Sequence, residues 1–130
     1  MLLDTSGLFC LLHRAESYHE LAVSLNRSTS PRMTHSYVLA EFVALANARN
    51  LPRSIVLSFM TDLIDNPEVE TVWVSESDHR TALALLGNRM DKTYSLCDAV
   101  SFLLMRKRGV AEALTTDRHF EQEGYLRLLA

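Results

Sequence analysis

The sequence predicts an α/β fold built around a mostly parallel β-sheet. Three observations lead to this prediction. Short apolar or β-rich runs alternate with longer helical patterns from one end of the chain to the other. The length of 130 residues suits one domain with its own core, and 48% of the residues are apolar. No apolar run approaches the roughly 20 residues needed to cross a bilayer.

The first quarter of the chain is expected to hold one strand and two helices. Met1–Leu3 is a short apolar run at the start of the chain, which is typical of a buried strand. Ser6–Arg14 is predicted to contain a helix because its leucines recur at helical spacing on one face. Tyr18–Asn26 repeats that pattern and predicts a second helix.

The second quarter is expected to hold one strand and two further helices. A cluster of Ser, Thr and Pro residues at 28–31 predicts a loop. Arg32–Thr34 is predicted to be a short strand that leads into a long helix at about His35–Asn50. Pro52 ends that helix and suits the first turn of the next one, which extends to about Ile64.

The second half of the chain repeats the alternation of strands and helices. Glu70–Val74 is rich in β-formers and predicts a strand, and Ser77–Arg89 predicts a helix capped by Ser77. Ser95–Arg108 is a strongly apolar helix that Gly109 is expected to end. The remaining elements are a strand at Ala113–Thr115, a turn or short helix at Asp117–Glu123 and a final strand candidate at Tyr125–Leu129.

Charge and cysteine content exclude several functional classes. The net charge is -3, which argues against a protein that holds nucleic acid by bulk positive charge. Cys10 and Cys97 form no CxxC pair and lie in apolar segments, so both are expected in the core rather than in a disulfide. The histidines show no zinc-ligand spacing. The start of the chain lacks the pattern of a secretory signal, so a cytoplasmic location is expected.

Four acidic residues lie in apolar surroundings, where surface acids are not normally found. Asp4 ends the opening apolar run, and Asp117 follows the run at 113–116. Glu41 and Asp98 lie inside apolar segments that are predicted to be helices. Burying a carboxylate is costly unless it is paired, hydrogen-bonded or bound to a metal, and no matching set of buried Lys or Arg residues is evident. The set therefore predicts a cluster of oxygen ligands for Mg²⁺ or Mn²⁺.

Each of these acids also has an explanation that needs no metal. Asp4 and Asp117 stand where a helix N-cap would stand, although a cap and a metal ligand can be the same residue. Asp98 and Ser95 match a capping box. Glu41 would reach water from the margin of an apolar stripe, but its neighbours on the helix are all apolar or aromatic, which favours burial.

The sequence around these acids forms a series of motifs. They are Leu3-Asp4-Thr5-Ser6, Ala40-Glu41-Phe42, Tyr94-Ser95-Leu96-Cys97-Asp98-Ala99-Val100-Ser101-Phe102, Ala113-Leu114-Thr115-Thr116-Asp117-Arg118-His119-Phe120, Glu123-Gly124-Tyr125 and Leu128. In this order and spacing they resemble the PIN-domain ribonucleases and, within that family, the VapC-type toxins. The resemblance covers the chain end to end and is carried most strongly by the motifs around Asp98 and Asp117.

The resemblance implies a Rossmann-like three-layer α/β/α fold with a central, mostly parallel sheet, formed by residues 1–130 as a single nuclease domain. It also implies a set of acids that meet at the carboxyl end of that sheet and hold one or two Mg²⁺ or Mn²⁺ ions. Those acids are Asp4, Glu41, Asp98 and Asp117.

Four further residues stand at motif positions around those acids. By resemblance, Thr115 helps to orient the site, and Ser6 supports a ligand or a water molecule. Arg118 and His119 stand where some family members carry a further acid. The chain therefore departs from a full two-metal pattern at this point.

The expected function is metal-dependent endonucleolytic cleavage of RNA. Asp4, Asp98 and Asp117 would bind the ion, and Glu41 would bind it or orient the attacking water. The resemblance to VapC-type toxins implies a small protein antitoxin as partner and a homodimer. The candidate contacts to RNA phosphates are Arg14, Arg49, Arg89, Lys92 and Arg118.

Two other functional classes fit an acid-rich α/β protein. The first is a PIN-like interaction protein that binds RNA or a protein partner without catalysis. The second is a phospho-acceptor receiver or a phosphatase with an aspartate nucleophile. The opening motif Asp4-Thr5-Ser6 lacks the second acid of either class, and no suitable lysine follows Asp117.

Overall fold

Five short strands and seven helices make up the computed structural model, which describes residues 1–130. The strands are β1 Leu2–Leu3, β2 Arg32–His35, β3 Val69–Val72, β4 Glu112–Leu114 and β5 Leu126–Arg127. The helices are α1 Thr5–Leu12, α2 His19–Ser28, α3 Ser36–Ala48, α4 Arg53–Asp65, α5 Glu76–Gly87, α6 Leu96–Arg108 and α7 His119–Gln122. None of these helices combines the length and the apolar character that a membrane-spanning helix needs.

All neighbouring strands pair in parallel, in the order β3-β2-β1-β4-β5. Successive residues of a strand face opposite sides of a sheet, and β1 shows this directly. Leu3 belongs to a core cluster with residues of α1, α3 and α4. Leu2 belongs to a second cluster with residues of α6 and α7. Helices therefore cover both faces of the sheet, which confirms the predicted three-layer α/β/α fold.

The predicted elements are all present, with small shifts at their ends. α5 is capped by Ser75, whose side chain accepts a hydrogen bond from the Asp78 N–H, and not by Ser77 as the sequence predicted. α2 extends through Ser28 into the segment predicted to be a loop. Gly109 ends α6 as predicted, in the left-handed conformation with φ of 64°.

The strand register brings the ends of the central strands to one level. Leu3 pairs with Leu114, so Asp4 and Thr115 follow their strands side by side. Leu2 pairs with Met33 on the other flank, which sets Asp4 level with His35. In open parallel sheets the crevice beyond the carboxyl ends of the strands is the usual ligand site. The register therefore places the first and last acidic motifs at the same crevice.

Gly7 lets α1 lie directly against β4. A Cβ atom at this position would lie 2.0 Å from the carbonyl oxygen of Leu114, far inside van der Waals contact. Only glycine fits there without displacing the backbone. This close approach holds the Asp4–Ser6 segment beside the end of β4.

His35 forms a buried polar link between the sheet and α6. Its side chain is fully buried, its Nδ1 accepts a 3.4 Å hydrogen bond from the Val38 N–H, and its Nε2 lies 2.8 Å from the Ser101 Oγ. With Nδ1 accepting, Nε2 carries the proton and donates it to Ser101. Burial lowers the pKa of His35 from its usual 6.5 to about 4.

We expect His35 to make the fold sensitive to acid. Below pH 6.5 the unfolded chain protonates this histidine, while the folded protein does not until about pH 4, so stability is lost as the pH falls through this window. The free energy of unfolding of wild type, relative to His35→Gln, should fall by about 3 kcal/mol from pH 7 to pH 4. Urea titrations at several pH values measure this difference. A difference that does not change with pH would contradict it.

Candidate metal centre

Four acids face the crevice at the carboxyl edge of the sheet, but their exposures differ. Asp4 follows β1 directly and is 5% exposed, and Asp98 in the first turn of α6 is 7% exposed. Asp117 follows β4 and is half-buried, whereas Glu41 on α3 is exposed. None of the four forms an ion pair with a lysine or arginine. Their charges are therefore not offset by basic side chains of the protein.

A chain of hydroxyl groups connects Asp4 with Asp117. The Thr115 Oγ1 donates a 2.7 Å hydrogen bond to the Asp4 Oδ2 and accepts one of 3.0 Å from the Asp117 N–H. Because the Thr115 proton is used on Asp4, the Ser6 hydroxyl donates to Thr115 across their 3.1 Å contact. Ser6 also accepts a hydrogen bond from the Thr116 N–H. Thr115 thus orients two acids at once, and Ser6 orients Thr115.

The capping explanation holds for Asp98 only, because the N-cap of α7 is Arg118 rather than Asp117. Asp98 forms the predicted capping box, because Ser95 and Asp98 exchange hydrogen bonds between side chain and backbone. The Asp117 Oδ1 accepts a 2.9 Å hydrogen bond from the His119 N–H. Asp4 stands at the N-cap position of α1 but makes no side-chain capping bond there. These bonds from backbone N–H groups use the Oδ2 of Asp98 and the Oδ1 of Asp117, which leaves one oxygen of each carboxylate without a backbone donor.

Burial and neighbouring charge perturb Asp4 strongly. The pKa of Asp4 is raised from its usual 3.8 to about 7, mainly by burial and to a smaller extent by the charges of Asp98 and Glu41, while hydrogen bonds from Thr115 and the Thr5 backbone act in the opposite direction. The pKa of the Cys97 thiol is also raised. Burial is the largest cause, and the charges of Glu41, Asp4 and Asp98 add to it. Asp4, Glu41 and Asp98 therefore lie near enough to repel one another, and a cation bound among them would relieve that repulsion.

Glu41 corrects one expectation from the sequence. Its apolar neighbours on the helix predicted a buried carboxylate, but the residue is exposed, and so are Ala40 and Ala44 beside it. Alanine tolerates exposure, so alanines next to an acid do not indicate burial. The buried stripe of α3 runs through Val38 and Phe42 instead. Glu41 reaches the site from its rim, as its effect on Asp4 shows.

His119 is a site residue that the sequence interpretation missed. Its Nδ1 lies 2.9 Å from the Asp98 Oδ2 and 3.5 Å from the Asp117 Oδ2. One ligand atom each from Asp98, Asp117 and His119 lie within 4.8 Å of one another. This donor set of two carboxylates and an imidazole fits a divalent cation. The sequence signal was the spacing Asp117-x-His119, which matches no established zinc motif.

Most of the basic residues considered for phosphate contact are already engaged. Arg49 pairs with Glu16 at 3.4 Å, and Arg89 makes two hydrogen bonds to the carboxylate of Glu123. Lys92 lies 3.7 Å from its neighbour Asp91.

Arg118 is a candidate whose side chain has no partner within the protein. It is exposed, forms no ion pair or hydrogen bond with its side chain, and adjoins Asp117 in the chain. Arg14 is also exposed, but it follows the far end of α1 from Asp4.

Comparisons with known proteins agree on one family. Residues 1–123 match the family described as PIN domain. The chain is 31% identical over 126 residues to the protein called 23S rRNA-specific endonuclease VapC20 in two strains of Mycobacterium tuberculosis, covering 96% of this chain and 95% of the relative. The crystal structure of M. tuberculosis VapC20, described as a Sarcin-Ricin loop cleaving toxin, matches with a TM-score of 0.87 and 27% identity. That match covers 96% of this chain and 95% of VapC20.

Proposed function

The chain belongs to the PIN-domain family, among its VapC-type toxins, and on that premise we propose that it is a divalent-metal-dependent endoribonuclease and the toxin of a toxin–antitoxin pair. One observation supports the proposal most. Asp98 and Asp117 lie close together near the carboxyl edge of the sheet, Asp4 and Glu41 lie near enough to interact electrostatically with this region, and no lysine or arginine pairs with any of the four.

The four acids divide between two roles in the proposed reaction. Asp4, Asp98 and Asp117 would hold Mg²⁺ or Mn²⁺, because they are the buried or half-buried members of the set. When bound, the ion would offset the carboxylate charges and polarise the scissile phosphate. Glu41, exposed at the rim, would accept a proton from the attacking water. The water oxygen would bond to phosphorus as the bond to the 3′ oxygen breaks, and the leaving 3′ oxygen would take a proton from solvent, which leaves a 5′-phosphate and a 3′-hydroxyl.

The substrate and partners are proposed from the relatives. VapC20 is described as acting on 23S rRNA, so ribosomal RNA is the first substrate to test. We also propose a cytoplasmic site of action, a small protein antitoxin and a homodimer. Trp73 and Met90 are 64% and 84% exposed, the highest values among the exposed large apolar side chains, and such residues are common in protein interfaces.

Cleavage of RNA by the purified protein tests the proposal. We expect cleavage of ribosomal RNA in Mg²⁺ or Mn²⁺, loss of cleavage in EDTA, and product ends that a ligase joins without prior phosphorylation. Cleavage that persists in EDTA would contradict metal dependence. RNA binding without cleavage in any divalent ion would favour the non-catalytic interaction protein instead.

Arg118 should contribute to RNA binding without affecting the metal. Because its guanidinium is unpaired beside Asp117, we expect it to bind a substrate phosphate. Arg118→Ala should weaken RNA binding about tenfold and reduce the dependence of binding on salt by about one counterion. Fluorescence anisotropy with labelled RNA over a salt series measures both effects, in an Asp98→Asn background that prevents cleavage.

Arg106 provides the matched control for this experiment. It is likewise exposed and forms no ion pair, but it lies in the last turn of α6, whereas Asp98 lies in the first. Arg106→Ala should leave RNA binding nearly unchanged. Equal losses in the two variants would mean that Arg118 acts only through general surface charge.

A further inference from the structure

The imidazole ring of His119 is held in place from several sides. Its Nδ1 faces carboxylate oxygens of Asp98 and Asp117, at 2.9 Å and 3.5 Å. Its Nε2 lies 3.0 Å from the Thr93 Oγ1. The ring packs edge-on against Tyr94, with centroids 5.2 Å apart. These contacts fix the orientation of the ring and place Nδ1 between the two carboxylates.

The two nitrogens have partners that suit a metal-bound histidine. A ligating imidazole presents one unprotonated nitrogen to the ion and donates its other N–H to an oxygen, which fixes the tautomer and the ring. In the metal-free protein the His119 Nδ1–H donates to the Asp98 carboxylate, and Nε2 lies beside the Thr93 hydroxyl. A bound ion would take the place of the Nδ1 proton, and Nε2–H would then donate to Thr93. The hydroxyl of Thr93 thus stands where the supporting oxygen of a metal-bound histidine is expected.

The distances also suit a shared ion. The candidate ligand atoms of Asp98, Asp117 and His119 lie within 4.8 Å of one another. An ion with bonds of about 2.1 Å holds its ligand atoms at most about 4.2 Å apart. Adjacent ligand atoms of such an ion lie about 3 Å apart, and the His119 Nδ1 lies 2.9 Å from the Asp98 Oδ2 and 3.5 Å from the Asp117 Oδ2.

We propose that His119 is a nitrogen ligand in this site. Its imidazole shifts the preference of the site from Mg²⁺ toward Mn²⁺ and related transition metals. This inference rests on the proposed metal-dependent function. Mg²⁺ prefers oxygen ligands and keeps much of its water. Imidazole nitrogen is a softer donor that favours transition metals over Mg²⁺. A site of carboxylates alone would lack this bias.

Pulsed electron paramagnetic resonance of Mn²⁺ bound to the wild-type protein tests the proposal directly. A coordinated imidazole nitrogen gives a ¹⁴N modulation in the electron spin echo. We expect this modulation in wild type and in His79→Asn, a control histidine that hydrogen-bonds to Tyr37 on another part of the surface. We expect no modulation in His119→Asn. A wild-type spectrum without modulation would contradict the proposal even if a variant does not fold.

Titration of metal affinity provides an independent measure. Isothermal titration calorimetry should show that His119→Asn weakens Mn²⁺ binding about tenfold and changes Mg²⁺ binding much less. Thr93→Val should weaken Mn²⁺ binding in the same direction because His119 loses its supporting hydroxyl.

The outcomes separate this inference from the proposed function. Mn²⁺ binding that Asp98→Asn weakens, without nitrogen modulation in wild type, would overturn the role of His119 and leave the metal-dependent nuclease intact. Wild-type protein that binds no divalent ion would overturn both.

Discussion

Replacing Asp98 by asparagine should abolish RNA cleavage, with a loss of at least about 10³-fold in rate. The physical reason is that Asp98 is 7% exposed, faces the same volume as Asp4 and Glu41, and supplies one of the closest candidate ligand atoms. Asparagine keeps the size of the side chain and an oxygen for the capping bond but loses the charge. Single-turnover cleavage of labelled RNA measures the effect.

Asp78 supplies a matched control for this substitution. Asp78 and Asp98 occupy the same position in two Ser-capped helices, with Ser75 and Ser95 as the caps. Asp78 pairs with Lys107 on the surface rather than facing the crevice. Asp78→Asn should therefore lose a comparable helix-dipole contribution of roughly 0.3–1 kcal/mol and keep full activity. If Asp98→Asn cleaves RNA as fast as Asp78→Asn, the cleavage comes from another site or another protein.

Replacing Asp4 by asparagine should stabilise the metal-free protein at pH 8 while removing its activity. At this pH the folded wild type holds an ionised carboxylate that is 5% exposed and repelled by other acids. This lowers the free energy of unfolding of wild type. The rise in the pKa of Asp4 from 3.8 to about 7 corresponds to about 4 kcal/mol, of which we expect about 2–4 kcal/mol to be recovered in the variant. Urea unfolding in EDTA measures the gain.

The pH dependence of this gain follows from the direction of the shift. Between pH 3.8 and about 7 the unfolded chain releases the proton of Asp4 and the folded protein retains it, so wild type loses stability as the pH rises through that window. Wild type and Asp4→Asn should therefore be about equally stable at pH 4, and the variant should be more stable at pH 8.

Saturating Mn²⁺ should reverse the ranking, because an ion that binds only the folded wild type stabilises it. A variant that is less stable than wild type in EDTA at pH 8 would show that Asp4 is not a strained acid. A variant that Mn²⁺ stabilises as much as wild type would show that Asp4 is not a ligand.

Local signals in the sequence were enough for most of the fold. The capping box of Ser95 and Asp98 marks the start of α6, and the left-handed Gly109 marks its end. Each signal involves residues only a few positions apart, so each can be recognised from the sequence. The start of α5 was misplaced because Ser75 and Ser77 are both good caps, and only the structure shows which one bonds to the Asp78 N–H.

Contacts between distant parts of the chain explain what the sequence did not predict. The hydrogen bond between Thr115 and Asp4 joins residues 111 positions apart, so its geometry has no local signal. His119 meets Asp98 across 21 positions, and by itself it looks like an ordinary polar histidine. Glu41 was expected to be buried because its neighbours are apolar, yet the side of α3 that carries it faces solvent.

Anomalous diffraction from crystals soaked in Mn²⁺ tests the central claim most directly. We expect an anomalous peak bonded to carboxylate oxygens of Asp4, Asp98 and Asp117, with Glu41 at the rim of the same site. A crystal of the Asp98→Asn variant should lack the peak. Two results in saturating Mn²⁺ would contradict the claim that these acids form a metal centre. One is the absence of a peak among these carboxylates, and the other is a peak bonded only to residues elsewhere on the surface.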